Sequence, residues 1–344
     1  HNIVAGADYE MDQTYRAHAY TGKTNTIYNL NRPVYGMVPV TDSSTEKKST
    51  ANLLNRIHSR SVYVKDSIEL TGKWTGVLGG RYQHYEQRES SGFAPVSEKY
   101  NDIGNKFLPQ TGVIYKLTPD ISLYGSISKS FTPSTSIDDN GNVEQPEKGT
   151  TYETGTKWQI TPALFASLTL YNIEERDLSL SLNGSTYAVA KARSRGIEAE
   201  INGEIYSGWQ LSANYSYDQA IITDDQNNPA NNGNRLQNAP RHSAAAYLSH
   251  GISIPVIAGN IRIGGGARYM GTRAGDPDNS FSLPAYTVAD SFIAWDSHLL
   301  GKKTHLQLNL NNLFNKHYYT SSGGNLRVEE GETRNAVLSA SVEF

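Results

Sequence analysis

Residues 209–218 read WQLSANYSYD, and this stretch carries the pattern that decides the fold. Apolar and aromatic residues occupy every second position, and polar residues fill the positions between them: Trp209, Leu211, Ala213, Tyr215 and Tyr217 against Gln210, Ser212, Asn214, Ser216 and Asp218. A β-strand points successive side chains to opposite faces, whereas a helix with a period of 3.6 residues would mix the two sets. The stretch therefore predicts a strand with one apolar face.

The same alternation recurs along the chain, for example at residues 197–205, 306–310 and 336–344. Fourteen segments follow it, and several are longer than a typical soluble strand. They lie near residues 2–20, 56–70, 75–90, 106–117, 121–134, 150–161, 164–178, 184–203, 209–223, 237–252, 260–276, 281–297, 304–322 and 332–344. The chain is therefore predicted to be all-β, with about 14 strands.

Short and long connections alternate between these segments, and this order predicts how the strands are arranged. The long polar connections are 21–55, 91–105, 135–149, 224–236 and 323–331, with short exceptions at 179–183 and 277–280. Bacterial outer-membrane barrels combine short periplasmic turns with longer outside loops. We therefore expect a transmembrane antiparallel up-and-down β-barrel.

The amino-acid composition agrees with a β-barrel and excludes helical membrane proteins and disordered chains. The chain has 344 residues, is 37% hydrophobic and contains no apolar run near the ~20 residues of a membrane helix. With 10% aromatic and 19% charged residues it does not have the composition of a disordered chain. The net charge of −3 gives no reason to expect nucleic acid as a partner.

Catalytic and metal sites find no support in the sequence. There is no cysteine, and the nine histidines are scattered without metal-ligand spacing. Neither a G-x-S-x-G elbow nor a phosphate-binding loop is present. We expect no enzyme activity, no catalytic residue, no bound metal and no cofactor.

Several motifs resemble those of TonB-dependent siderophore receptors. They lie at residues 61–70, 79–82 (GGRY), 151–157 (TYETGTK, following Phe131-Thr132-Pro133), 193–200 (RSRGIEAE) and 308–319 (LNLNNLFNKHYY). Five motifs in family order span nearly the whole chain. The final Phe344, after Leu338, Ala340 and Val342, resembles the C-terminal signal read by the barrel assembly machinery.

The resemblance implies that residues 1–344 are the C-terminal portion of such a receptor. The family carries an N-terminal plug domain and a 22-stranded barrel, and this chain matches roughly strands nine to twenty-two. The abrupt beginning at His1 fits this interpretation. The plug and the first strands are expected to be absent from this sequence.

The resemblance also implies a function in the outer membrane of a Gram-negative bacterium. A whole receptor binds a ferric siderophore from outside and imports it with energy from the TonB complex, which this portion cannot do alone. The implied partners are the receptor's own plug domain and missing strands, the TonB complex, the barrel assembly machinery and outer-membrane lipid. The transported ligand is a ferric siderophore.

Candidate site residues follow from strand parity and loop position. Expected ligand contacts in or near the outside loops are Tyr28, Tyr35, Met37, Phe93, Tyr100, Tyr318, Tyr319 and Arg327, because aromatic and basic side chains suit planar anionic chelates. Expected lumen-facing residues are Glu153, Lys157, Glu198, Glu200, Arg262 and Arg268. Each of these residues also fits an ordinary loop position or a hydrated lumen wall.

Two other functions remain open at this stage. A complete 14-stranded passive channel would show the same alternation and the same turns. An adhesin or phage-docking surface is compatible with the long loops.

Overall fold

A computed structural model describes residues 1–16, 52–92, 97–133, 146–182, 185–299 and 301–343. Fourteen strands form one antiparallel sheet in which each strand pairs with its neighbours along the chain. Their bounds are Asn2–Arg16 (β1), Asn52–Glu69 (β2), Trp74–Gly92 (β3), Ser97–Lys116 (β4), Ile121–Thr132 (β5), Glu147–Thr161 (β6), Leu164–Leu182 (β7), Ser185–Tyr206 (β8), Trp209–Asp224 (β9), His242–Ile252 (β10), Asn260–Met270 (β11), Tyr286–Leu299 (β14), Lys302–Asn311 (β15) and Asn335–Val342 (β18).

Four further strands build two small hairpins inside the connections. They are Arg273–Ala274 (β12) with Ser282–Leu283 (β13), and Tyr319–Ser322 (β16) with Val328–Glu330 (β17). Within the described ranges the one helical element is a 3-10 turn at Pro229–Asn231. The predicted all-β fold with fourteen main strands is therefore confirmed.

Cross-strand register extends the sequence alternation over the whole sheet. Leu308 lies opposite Ile293 on one side and Leu338 on the other, which forms an apolar row on one face. Glu198 lies between Thr169 and Ser216 on the opposite, polar face. Because the side-chain period of a strand is two, the register keeps the apolar rows together through the middle of the sheet, and it shifts only near strand ends, at Glu89/Ser90, Gln159/Thr161, Lys191/Ala192 and Glu204/Tyr206. We call the leucine-bearing face the outer face and the other the inner face.

Threonine side chains fix several of the tight turns. The Thr71 hydroxyl accepts hydrogen bonds from the backbone N–H groups of Lys73 at 3.2 Å and Trp74 at 3.1 Å. Thr118 accepts from Ile121 at 3.0 Å in the same way. A side chain that bonds to backbone two or three residues ahead stabilises a turn, so these short connections are built into the local sequence.

Aromatic side chains collect on the outer face near the short-turn end. Trp74 packs against Tyr115 with ring centroids 4.6 Å apart, and Trp209 stacks on His250 at 4.5 Å. Trp158, before the turn between β6 and β7, and Tyr206, beside the turn that precedes Trp209, are exposed at the same end of the sheet. Amphipathic rings at this height are typical of a membrane interface.

Several strand boundaries differ from those predicted. Residues 97–105 are strand, so the long loop expected at 91–105 is wrong, and β3 and β4 are joined by residues 93–96 alone. By contrast, the short connection expected at 277–280 is part of a longer one, 271–285, which contains β12 and β13. Beyond a membrane both faces of a strand meet water, so the apolar alternation ends before the strand does.

The sheet has two edges within the described residues. β1 pairs with β2 alone, and β18 pairs with β15 alone. A closed barrel would require these two strands to pair with each other or with further strands. The sheet is therefore a long open wall.

One glycine leaves room for a tyrosine side chain that lies against the inner face of the sheet. A Cβ built on Gly196 would overlap the Tyr171 hydroxyl and the carbonyl oxygen of Tyr217. Backbone cannot yield at such a contact, so this position requires a glycine.

Candidate functional site

The six charged residues expected to face a lumen share one face of the sheet. Glu153 and Lys157 lie on β6 opposite Tyr171 and Ser167, and the register carries this inner face onto Glu198 and Glu200 of β8. Arg262 and Arg268 of β11 lie on the same face.

Aromatic rings and acids hold two of the inner-face cations. The Arg262 guanidinium lies over the Phe292 ring, 5.9 Å from its centroid. The Arg268 guanidinium forms an ion pair with Asp290 at 3.4 Å. These contacts leave a polar and partly exposed wall of the kind that suits passage of a polar ligand or contact with a polar domain.

A cavity of about 470 Å³ opens on the inner face near the long-loop end of β1 to β4 and extends to β5, where Lys129 and Phe131 lie opposite Thr150 and Lys148 of the outer face. Its lining combines carboxylates, cations and an aromatic ring: Glu10, Asp12, Ile57, Ser59, Arg81, Gln83, Leu108, Lys129, Ser130, Phe131, Thr132 and Pro133. Its volume lies within the range of small-molecule sites. This cavity is the best candidate for a ligand site in the described structure.

Hydrogen bonds fix the floor of this cavity. Asp8 accepts hydrogen bonds from the Arg81 guanidinium and from the Ser61 hydroxyl, both at 2.9 Å. Nearby, the Gln83 amide donates to the Ser59 hydroxyl at 2.9 Å. Polar groups held in this way are preorganised, which lowers the ordering cost of binding.

Aromatic packing forms the upper wall of the cavity. The Phe131 ring lies 4.8 Å from the Tyr85 ring, and the Tyr85 hydroxyl donates to Asp102 at 2.9 Å. The Lys106 ammonium lies 5.4 Å from the Phe131 centroid, a cation–π distance. The site therefore combines a closely packed aromatic pair with positive charge.

Glu89 is buried further along β3, with 1% of its surface exposed. It lies opposite Asn55 in the register, and its Oε2 atom has no hydrogen-bond partner. Burial raises the pKa of the Glu89 carboxyl from 4.5 to about 7. Glu89 is 15 residues beyond Trp74, and at roughly 2.5 Å of height per tilted residue this puts it above an apolar band of ~25 Å.

Three connections are fastened together at the long-loop end of β9 to β18. Arg273 is buried, and its guanidinium donates to the backbone carbonyls of Thr320 at 2.5 Å and Tyr319 at 2.7 Å. The Gln237 amide donates to the carbonyls of Gly275 at 2.9 Å and Ser322 at 2.8 Å. Connections 225–241, 271–285 and 312–334 therefore form one bonded unit, which we call the loop cluster.

Buried acids stabilise the turns inside the loop cluster. Asp225 accepts hydrogen bonds from the backbone of Asn227 at 3.0 Å and Asn228 at 2.9 Å, and from the Asn231 amide at 2.9 Å. Asp276 accepts from the backbone of Ser280 at 2.7 Å. Such Asx-type bonds satisfy backbone donors that the loops would otherwise leave without partners.

Four of the predicted ligand contacts, Tyr28, Tyr35, Met37 and Phe93, lie outside the described residues, as does Phe344. The backbone of Tyr100 belongs to β4 opposite Glu89, so its predicted loop position is wrong. The strand predicted at 304–322 would put Tyr318 and Tyr319 near its top, and this is also wrong because β15 ends at Asn311.

The structure gives Tyr318, Tyr319 and Arg327 different surroundings within connection 312–334. Tyr318 is buried, with its ring 4.5 Å from Tyr286 and its hydroxyl 3.4 Å from an Arg268 nitrogen that donates to it. Tyr319 is 39% exposed. Arg327 is exposed and donates to Glu329 at 3.1 Å. Their roles as ligand contacts stay predictions.

The inner-face cavity was missed as a site by sequence reasoning. Four of its residues do fall in motifs noted above: Arg81 in GGRY, and Phe131, Thr132 and Pro133 before the motif at 151–157. The signal available was their position in those motifs. The sequence does not show that these residues line one cavity, because they lie on strands that are far apart in sequence and meet only in the folded sheet.

Among the described residues, no helix is long and apolar enough to cross a membrane. The same residues hold no group of three or more His, Asp or Glu side chains placed to bind a metal ion.

A wide antiparallel sheet with one apolar outer face, one polar inner face and an aromatic row beside the short turns defines the wall of an outer-membrane type β-barrel. A family model for the TonB-dependent receptor-like β-barrel matches residues 1–313. The chain belongs to this family, whose members reside in the Gram-negative outer membrane and act as receptors and transporters.

Relatives include proteins named for iron chelates. The chain is 32% identical to an uncharacterised TonB-dependent receptor of Haemophilus influenzae, over 92% of this chain and 95% of that protein. It is 29% identical to the ferrichrome outer membrane transporter/phage receptor of Escherichia coli, over 100% of this chain and 46% of that protein. It is 28% identical to the ferrioxamine B receptor of Salmonella typhimurium, over 100% of this chain and 48% of that protein.

Solved structures share the fold. The siderophore receptor PiuA from Acinetobacter baumannii aligns with a TM-score of 0.69 at 26% identity, over 84% of this chain and 43% of that one. The ferric-catecholate import receptor Fiu from E. coli K12 aligns with a TM-score of 0.73 at 20% identity, over 99% of this chain and 52% of that one. The chain spans about half the length of these two structures and of the ferrichrome and ferrioxamine B receptors.

Proposed function

We propose that this chain forms barrel wall of an outer-membrane receptor that binds a ferric siderophore outside the cell and imports it to the periplasm. The observation that carries the proposal is the family match over residues 1–313, together with relatives over the whole chain that are named for ferrichrome and ferrioxamine B. Import takes its energy from the TonB complex, as the family name implies. In the complete receptor this chain contributes to binding and passage, and the proposal involves no covalent chemistry.

In this proposal residues 1–344 are the C-terminal portion of the receptor, and an N-terminal plug domain and the first barrel strands complete it. Two observations support this arrangement: the chain spans about half of most of the named relatives, and β1 and β18 are open edges. An unpaired strand edge is not tolerated in hydrocarbon, because its backbone N–H and C=O groups find no water there. Further strands would pair with both edges.

The inner-face cavity supplies contacts suited to an iron chelate. Phe131 contributes an aromatic edge that is 8% exposed, and Lys129 supplies a positive charge for an anionic complex, while Arg81 is held in place by Asp8. Iron arrives inside the chelate, so the protein needs no iron ligands of its own. The acidic residues Glu10 and Asp12 on the opposite side of the cavity favour chelates that also carry a positive group.

The remaining partners follow from the same arrangement. The charged inner wall, with Glu198, Glu200 and Arg262, would face the plug domain. The outer face would contact outer-membrane lipid, and the C-terminal strand would engage the barrel assembly machinery. Nothing in the charge distribution calls for nucleic acid.

Uptake of ⁵⁵Fe by an iron-limited strain that lacks its own receptors and expresses the full-length protein tests the proposal. We expect one class of siderophore to restore growth and uptake, and deletion of TonB to abolish both. A Lys129→Gln/Phe131→Ala variant should raise the half-saturating siderophore concentration at least tenfold. Lys73→Gln, a charge change in a short turn, should leave that concentration unchanged.

Absence of growth, uptake and binding across hydroxamate, catecholate and carboxylate siderophores would overturn the import function. Steady conductance of refolded residues 1–344 in planar bilayers would instead support a complete passive channel. The open sheet disfavours that alternative, because a 14-stranded channel must pair β1 with β18.

A further inference from the structure

Three cations lie side by side on the outer face at the long-loop end of β6, β7 and β8. Lys148 is directly opposite Arg176, and Arg176 is directly opposite Lys191. Neighbouring strands are about 4.8 Å apart, so the three positions fall within ~10 Å. Like charges directly opposite each other destabilise a sheet, so an anion beside the row would relieve a real repulsion.

Carboxylates neutralise the two ends of this row but not its centre. Lys148 pairs with Asp177 at 2.8 Å, and Lys191 pairs with Asp224 at 3.2 Å. Within the described part of the chain, Arg176 has no ion pair. The central guanidinium, which can bind a phosphate through two parallel hydrogen bonds, is therefore the one left available.

Two more arginines continue the positive charge along β8. Arg193 and Arg195 lie on the same outer face as the row. The Nε atom of Arg193 is buried and has no hydrogen-bond partner, whereas that of Arg195 donates to Asn172 at 2.8 Å. Glu174 is the one further acid on this part of the face in the described register. The patch as a whole therefore carries an excess of positive charge.

The height of the row matches the surface of a membrane. Trp158, in the aromatic band at the short-turn end, lies on the same strand and the same face as Lys148, ten residues away. Tilted strands climb roughly 2.5 Å per residue, so ten residues span about 25 Å, the thickness of the apolar band of an outer-membrane barrel. The cations are therefore placed at the outer boundary of the hydrocarbon, where lipid phosphates lie.

A groove of about 330 Å³ adjoins the row. It opens where the pairing of β4 with β5 stops at Gln110, beside Pro109, which has no N–H to continue the ladder. Its lining joins four cations and one acid to apolar rings: Lys106, Lys129, Lys148, Arg176 and Glu174 with Phe107 and Phe131. Phe107 is 65% exposed, which is the surface an acyl chain would cover.

We propose that Lys148, Arg176, Lys191 and Arg193, with this groove, bind a phosphate group of an anionic lipid in the outer leaflet. The phosphate lies against Arg176, and an acyl chain runs down beside Phe107. The cation row lies on the outer face, and the groove beside it shares Leu108, Lys129, Ser130 and Phe131 with the siderophore cavity, because the pairing of β4 with β5 stops between them. The proposal still goes beyond the proposed function, since Lys148, Arg176, Lys191 and Arg193 do not line that cavity, and it uses only the membrane location of the family.

The test measures lipid bound to the full-length receptor purified in detergent and reconstituted with defined lipids. Bisphosphorylated lipid A is the probe, and monophosphoryl lipid A and phosphatidylcholine are the comparisons. We expect Arg176→Gln/Lys191→Gln to lower the amount of retained bisphosphorylated lipid A at least fivefold. The loss of retained lipid should be smaller for the monophosphorylated form. A Lys73→Gln/Lys303→Gln variant, which removes two exposed cations from the short-turn end, should retain lipid A as the wild type does.

One control shows whether the variants fold, and another distinguishes a lipid phosphate from free inorganic phosphate. Because the double variant removes like charges, its barrel should form normally, as read by the gel shift between heated and unheated samples, and Arg193→Gln gives a second, milder variant. Equal lipid retention in variant and wild type would overturn the proposal, as would retention that ignores the number of lipid phosphates. Displacement of lipid A by millimolar inorganic phosphate would show a free-phosphate site and overturn the lipid assignment. Siderophore uptake is measured independently, so failure of either proposal is recognisable.

Discussion

Glu89 gives the sharpest test of how the long-loop end of the wall is packed. Its carboxyl is buried on the inner face beside Asn55, and its Oε2 atom has no hydrogen-bond partner. Burial raises the pKa of this carboxyl from 4.5 to about 7. The perturbation is Glu89→Gln, which keeps the shape and removes the charge.

The magnitude follows from that difference in pKa. Below pH 4.5 the carboxyl is protonated in both the folded and the unfolded chain, so it imposes no charge penalty. Between pH 4.5 and 7 the unfolded chain ionises first, so stability falls as the pH rises. Above pH 7 the folded chain carries the full penalty, on the order of 3 kcal/mol at 1.36 kcal/mol per pKa unit.

Urea unfolding in detergent micelles, followed by the fluorescence of the four tryptophans, measures the effect. We expect wild type and Glu89→Gln to have similar unfolding free energies at pH 4.5, and the variant to be more stable by about 3 kcal/mol at pH 8. Glu86→Gln is the matched control, because Glu86 lies on the outer face of the same strand and pairs with Arg88. An equal difference at both pH values would refute the burial argument.

Three further predictions test the wall and the loop cluster. Leu308→Arg should cost about 2–4 kcal/mol of folding free energy in lipid vesicles, because it puts a charge in the apolar row of the outer face. Gln307→Arg, on the inner face, should cost less than about 1 kcal/mol. Equal costs for the two variants would contradict the assignment of the faces. Arg273→Lys should speed hydrogen exchange of the β16 backbone amides at least tenfold, because a lysine cannot donate to the Thr320 and Tyr319 carbonyls through a planar fork as Arg273 does. An unchanged exchange rate would show that Arg273 does not hold the loops together. Gly196→Val should abolish heat-resistant barrel formation through overlap with a tyrosine and a backbone carbonyl, while Gly251→Ala, with open space at its Cβ, should fold normally.

Much of the fold was readable from the sequence because a strand sorts its side chains by parity. The alternation in residues 209–218 and 306–310 predicted both the strands and the faces that the register shows. That information is local, since each strand carries its own pattern. The ends of the strands were harder to predict from the sequence. Residues 97–105 belong to β4 although they are mostly polar, because both faces of the strand meet water there and the alternation is lost.

The site was less readable, because its parts meet only through long-range register. Arg81 contacts Asp8 across 73 positions of sequence, and Phe131 reaches Tyr85 although a strand runs between theirs. Tyr286 falls inside the strand predicted at 281–297, and its packing on Tyr318 of the loop cluster has no counterpart in the sequence pattern. No local pattern reports such contacts.

The amino-acid sequence by itself determined the strand number, the two faces and the family, because period-two alternation and short motifs are properties of neighbouring residues. Tertiary structure alone decided the cavity, the loop cluster and the row of Lys148, Arg176 and Lys191. The physical reason is that register brings together residues from separate strands, and register is set by the pairing of whole strands.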